Sequence, residues 1–306
     1  MARKKNYDLY SGYSWYMPGV RGMFVLLGMF ILGGLLGSLI QAVLMLFMTP
    51  DQVMSYGMIV VYPAQFMPAM IYAMNKSRKN AFFDTGYALD SKNFGKMGAA
   101  GAALVTIAVT AATMFLADYP NWWNASLAQK SSFLSQFYDI IMEAMKTMTG
   151  GPLWSSFLVV AIFAPVFEEW LCRGMVLRGL LRNMKPGWAI VVSALFFALI
   201  HANPWQALNA FIIGVVMGYI YYKTGSLLLT MLIHFVNNGT SVILSDIDAL
   251  KDFDYFKDMM PAGTYIAGIV AAAVVMAAGI WLFSRIPLRH PWGNIDEVEA
   301  IAPEEI

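Results

Sequence analysis

This 306-residue chain reads as an all-α, polytopic membrane protein of about eight transmembrane helices, on three grounds. Hydrophobic residues make up 59% of it and charged residues only 13%, with a mean hydropathy of +0.59, far from the soluble average. Apolar stretches long enough to cross roughly 30 Å of hydrocarbon recur at 23–48, 54–74, 97–117, 153–170, 188–203, 204–222, 225–244 and 262–283. Finally, with eight spans and an inner N-terminus, sixteen of the 20 Lys and Arg residues fall in inner segments and four, Lys130, Lys146, Lys251 and Lys257, in outer ones. Cytoplasmic loops collect positive charge, so both termini are expected in the cytoplasm.

The elements follow in order. Residues 1–22 are polar, basic and aromatic, and the apolar run after them is about twice a signal-peptide core, so an uncleaved cytoplasmic segment and a first span are expected. Residues 133–148 carry Phe133, Leu134, Phe137, Ile140, Ile141, Met145 and Met148 at helical spacing among Asp139, Glu143 and Lys146, the pattern of an amphipathic helix on the membrane surface. Only Asn203-Pro204-Trp205 separates the fifth stretch from the sixth. Proline cannot donate a helical hydrogen bond, so a kinked or re-entrant element is an alternative there. The outer loop 245–260 is acidic, and residues 284–306 form a cytoplasmic tail. Trp15, Tyr16, Trp122, Trp123, Trp154, Tyr221, Tyr222 and Trp292 lie near span ends as interfacial aromatics. GxxxG pairs at Gly33/Gly37 and Gly214/Gly218 allow close helix packing. With no internal repeat, residues 23–283 read as one membrane domain.

Twenty basic against 19 acidic residues leave no footprint for nucleic acid; the expected surroundings are a lipid bilayer. Cys172 is the one cysteine, which excludes an intrachain disulfide and fits a small packing residue better than a nucleophile.

Ionisable groups inside spans are costly and mark function. Here they are Glu168, Glu169, Arg173, His201 and His234, with Asn203, Asn209, Asn237 and Asn238 as neutral company. Glu169 and Arg173 are i and i+4 in the favourable acid-first order, so they are expected to pair. Glu168 points about 100° away and is left for chemistry as a general base toward water. His201 follows Phe197 by one turn. His234 has Asn237 and Asn238 at i+3 and i+4, and a histidine beside an amide supplies donors of the kind that stabilise an oxyanion. Each group alone also has a bland reading: a solvated ion pair at a helix end, or polar glue between helices.

Taken together, EExxxR (Glu168, Glu169, Arg173), FxxxH (Phe197, His201) and HxxxN (His234, Asn238), in that order on successive apolar helices over about residues 150–245, resemble the motifs of the CPBP family of intramembrane proteases. That family, also called Abi, includes CAAX prenyl endopeptidases and bacteriocin-processing or immunity proteins. The resemblance implies an all-helical fold with a cavity inside the membrane, and an endopeptidase acting on a hydrophobic or lipidated peptide. It implies that Glu168 activates water with His201, that Glu169 and Arg173 support the site, and that His234 and Asn238 stabilise the oxyanion. By the same resemblance the location is a bacterial cell membrane. A non-proteolytic scaffold or immunity protein of the same fold is the alternative class, and a transporter is disfavoured by the lack of repeats.

No cofactor is expected. Zinc is the alternative, since His201, His234 and one glutamate supply three ligands, but HExxH is absent and HxxxN offers an amide where a ligand is wanted. Hydropathy alone puts Glu168 near the inner end of its helix and His201 near the outer end of the next. For the three groups to meet, the Glu168 helix must run on to about residue 183, with Arg178 and Arg182 at the inner interface, and Asn203-Pro204 must bend inward.

Overall fold

The computed structural model describes residues 16–76, 93–149, 151–250, 253 and 255–287. Most of both terminal tails, with Trp15 and Trp292, and most of the loop after Lys76 lie outside these residues. Among the described residues all regular structure is helical and no strand occurs.

Six helices among the described residues are long and apolar enough to cross a membrane: α1 (Val20–Leu44), α2 (Pro50–Lys76), α3 (Gly95–Ala128), α5 (Leu153–Leu181), α8 (Leu227–Asp246) and α10 (Ala262–Ser284). The chain is thus an integral membrane protein. The amphipathic segment is α4 (Ser132–Thr149), and α9 (Phe256–Met259) is a single turn in the acidic loop. The expected fifth and sixth spans are α6 (Pro186–Ile200) and α7 (Pro204–Thr224). At 15 residues α6 extends only ~22 Å, and the more polar α7 carries Gln206, Asn209 and Lys223, so neither joins the six. They pack on each other as a helical hairpin.

Local chemistry sets these boundaries. Thr49 and Gln52 close a capping box ahead of α2, with Pro50 at its first position. Pro186 opens α6. After Ile200 the chain reverses through Ala202, at φ 51°, and Asn203, whose side chain accepts from the backbone N–H groups of Trp205 and Gln206. Pro204 then starts α7, which stops at Gly225; φ 63° there is a left-handed cap that glycine adopts without steric cost. Ser226 caps α8 by accepting from Leu229 N–H.

Helix α5 occupies the centre, against α2, α6 and α8; α1 packs on α2, and α3 packs on α7, α8 and α10. Both GxxxG pairs serve close approach. A Cβ on Gly33 would stand 1.7 Å from the Gln65 carbonyl oxygen, and one on Gly214 would meet Ala194 at 3.1 Å. Phe24, Ile31, Leu35 and Leu39 of α1 face outward, as a lipid-facing helix requires, because acyl chains are as apolar as leucine. The α4 side chains Phe133, Phe137 and Ile140 are also exposed. Two interfacial assignments change: Arg178 and Tyr221 are fully buried, and Arg178 Nε and Nη2 both donate to the Tyr221 hydroxyl, at 3.1 and 2.8 Å. Arg173 is fully buried as well, as its expected pairing with Glu169 requires.

Candidate active site

Helix α5 carries both glutamates and is not a plain α-helix. Residues Phe157–Phe163 and Trp170–Leu177 are π-helical, and the α-helical turns Ala164–Glu169 lie between them. Pro165, which has no N–H, contributes to the first irregularity. Widened turns leave carbonyls that a membrane interior cannot hydrate, and neighbouring side chains meet them: Asn238 Nδ2 donates to Val160 O at 2.9 Å, and Ser193 Oγ to Cys172 O at 3.0 Å. Single-turn π segments recur at functional sites.

Because α5 runs to Leu181, Glu168 lies near the middle of the helix. Its carboxylate is reached from three other helices. Oε2 stands 3.8 Å from His201 Nε2 and 4.0 Å from His234 Nε2. Oε1 accepts the hydroxyl hydrogen of Tyr62, on α2. Sequence reasoning missed Tyr62; its only signal was a tyrosine before Pro63 inside an apolar span. The Glu168 and His201 side chains each keep 12% exposure, whereas Glu169 and Arg173 have none.

The inner pair is closed on all sides. Arg173 Nη1 donates to Glu169 Oε1 at 2.7 Å and Nη2 to the Gly214 carbonyl at 3.1 Å. The guanidinium lies 4.4 Å from the centre of the Phe197 ring, a desolvated cation–π contact. Glu169 Oε1 also accepts from His234 Nδ1, at 3.1 Å. The Phe197 ring meets His201 and His234 edge-on, at 4.8 and 5.5 Å between centres, and so spaces the two imidazoles. His201 Nδ1 donates to the Phe197 carbonyl at 2.7 Å. Both histidines are thus tied through Nδ1 and turn Nε2 toward Glu168. Asn238 stands apart from this cluster in its bonding: one amide hydrogen is committed to Val160, and its oxygen accepts from Asn237 at 3.0 Å. Cys172 is fully buried.

Among the described residues no group of three or more His, Cys, Asp and Glu side chains has the arrangement of a metal site. Glu168 Oε2 stands 3.8 and 4.0 Å from the two imidazole Nε2 atoms, and the ligands of a tetrahedral zinc at 2.0–2.1 Å stand about 3.3 Å apart.

Residues 150–240, a little under a third of the chain, match the family model described as type II CAAX prenyl endopeptidase Rce1-like. The match coincides with the stretch whose motifs carry the resemblance and includes Glu168, Glu169, Arg173, His201, His234 and Asn238. No curated protein and no solved structure matches the chain.

Proposed function

From that similarity to the CAAX prenyl endopeptidases, we propose that this chain is an intramembrane endopeptidase that hydrolyses a peptide bond in a hydrophobic or lipidated peptide, with water activated by Glu168 and His201. The observation that carries the reading is the convergence of His201 Nε2 and His234 Nε2 on Glu168 Oε2, at 3.8 and 4.0 Å, an oxygen that is buried and has no hydrogen-bond partner among the described residues.

Separations of 3.8 and 4.0 Å are too long for direct hydrogen bonds and within the span of one bridging water. With its Nδ1 hydrogen given to Phe197, neutral His201 offers a lone pair at Nε2. A water there donates one hydrogen to Glu168 Oε2 and the other to His201 Nε2, which leaves an oxygen lone pair for the scissile carbonyl. On attack the C–O bond forms, the carbonyl oxygen becomes an oxyanion, and Glu168 takes the water proton. His234, with Nδ1–H on Glu169, donates from Nε2 when it is protonated there, and Glu169, shared with Arg173, balances that cation. Asn238 has one further amide hydrogen for the oxyanion. As the intermediate collapses, the C–N bond breaks and Glu168 returns its proton to the leaving amine. General base catalysis of this kind contributes about 10²–10⁴-fold, and an oxyanion donor about 10²–10³-fold.

The zinc reading has one observation in its favour: both imidazoles are anchored through Nδ1, on a carbonyl and a carboxylate, as metal-ligating histidines are. The ligand separations argue against it, and no step above uses a metal. The purified protein in detergent is given an internally quenched peptide that ends in a prenylated Cys-aliphatic-aliphatic-X sequence. Cleavage is expected to fall at least 10²-fold in Glu168→Gln and to persist in 1,10-phenanthroline. Full activity of Glu168→Gln removes the mechanism; chelator inhibition reversed by zinc replaces it with the metal one. A wild-type protein that cleaves no such peptide, in cells that Glu168→Ala complements fully, is the scaffold instead.

A further inference from the structure

The base of the proposed reaction is held from outside the segment that matches the family model. Tyr62 lies on α2, more than one hundred residues before Glu168, and its hydroxyl donates to Oε1. The other oxygen, Oε2, is the one turned toward His201 and His234. This placement is built into the packing. Phe66, one turn on from Tyr62, stacks on Phe167 at 5.5 Å and 23°, and Phe167 precedes Glu168. Phe66 also meets Phe30 of α1 at 5.2 Å. Gly33 lets the α1 backbone come against Gln65, so α1 presses α2 onto α5 at the height of the glutamate.

We propose that Tyr62 is a positioning residue: its hydroxyl pins Oε1 of Glu168 so that Oε2 alone receives the proton of the attacking water. The inference rests on the hydrolytic reading above. A carboxylate turns about a broad, roughly two-fold torsion, and without a donor either oxygen faces the water with no fixed direction. Pinned as it is, the group keeps the same hydrogen bond through the cycle. Oε1 accepts from Tyr62 when Glu168 is ionised, and still accepts as a carbonyl oxygen once Oε2 carries the proton. Proton uptake and return therefore need no rearrangement, the property that makes preorganised sites effective.

The test uses full-length protein in detergent and the quenched prenylated peptide. Tyr62→Phe keeps the ring and is expected to lower kcat by about 10- to 100-fold, the scale of a misdirected reacting group, with KM unchanged within about twofold. Incorporation of 3-fluorotyrosine at position 62 restores kcat and 4-fluorophenylalanine does not, a contrast that packing alone would not produce. A second arm needs no substrate. Dicyclohexylcarbodiimide modifies carboxyls in apolar surroundings, and loss of the phenol donor leaves both oxygens of Glu168 open to it. Modification of Glu168 followed by mass spectrometry is expected to be faster in Tyr62→Phe than in wild type. An inactive Glu168→Gln beside a Tyr62→Phe with full kcat overturns the Tyr62 assignment alone, whereas an active Glu168→Gln overturns the hydrolytic reading. Equal rates of Glu168 modification in wild type and Tyr62→Phe overturn the assignment whether or not the peptide is cleaved.

Discussion

Replacing Arg173 by methionine tests the inner half of the site. The guanidinium is fully buried and holds Glu169 at 2.7 Å, the Gly214 carbonyl at 3.1 Å and the face of Phe197 at 4.4 Å. Methionine fills much of the volume and retains none of the donors. Glu169 is then left as a buried carboxylate with only the neutral or weakly basic partners His234 and Thr230, and the Gly214 carbonyl loses a donor inside the bundle. Breaking one side of a buried ion pair costs about 3–5 kcal/mol, and Arg173→Met is expected to destabilise the protein by that amount in an SDS titration followed by circular dichroism. The double variant Glu169→Gln/Arg173→Met removes the stranded charge, and because a neutral or apolar replacement of a buried pair is often tolerated, it should recover most of the loss. Cleavage should not recover, since Glu169 no longer balances a protonated His234. A single variant within about 1 kcal/mol of wild type would falsify the claim that Arg173 is the counter-charge keeping Glu169 in the bundle. Equal destabilisation of the single and double variants would refute the coupling.

Gly33→Leu places a side chain where even a Cβ would lie 1.7 Å from the Gln65 carbonyl; α1 and α2 must part, and cleavage should fall in step with Tyr62→Phe although position 33 touches no site residue. Asn238→Leu strands the Val160 carbonyl and removes a donor, so a loss of about 1–3 kcal/mol in stability is expected together with a lower kcat. A kcat effect without any change in stability would show that its bond to Val160 contributes nothing. Asp118, which accepts from Phe256 N–H, Lys257 N–H and the Tyr265 hydroxyl at 2.7, 3.2 and 2.8 Å, clamps the acidic loop before α10. Asp118→Asn turns an amide toward those donors and should raise the rate of tryptic cleavage after Lys257 by about tenfold, the equilibrium equivalent of 1.4 kcal/mol.

The parts of the site that were legible in the sequence are those fixed by spacing within one helix. Four residues bring Glu169 and Arg173 to one face, and a further residue of rotation separates Glu168 from them; both relations hold in the structure. The need for depth also foretold that α5 continues past the hydropathy minimum at CRG. What composition could not show is set by contacts between helices. Tyr62 reaches Glu168 across 106 positions, and no periodicity distinguishes it from the other tyrosines of the apolar stretches. Tyr221 looks like an interfacial aromatic by position and is instead the buried partner of Arg178. The hairpin α6–α7 reads as two spans because hydropathy counts apolar residues, and it does not register that α6 is only 15 residues long or that α7 opens on polar residues.

The π-helical turns on either side of Glu168 connect these observations. A regular helix would bond its own carbonyls and need nothing from its neighbours. By widening at Phe157–Phe163 and Trp170–Leu177, α5 presents acceptors that only side chains of other helices can satisfy, and those donors come from α8 (Asn238) and α6 (Ser193). These are the helices that carry His234 and lead into His201. The same polar contacts that make α5 tolerable in an apolar interior therefore fix the relative height of the three reactive groups. In water such acceptors would be hydrated and would hold nothing in register. Within lipid, the obligation to satisfy every backbone group becomes the means by which residues from distant parts of the chain are brought to Glu168.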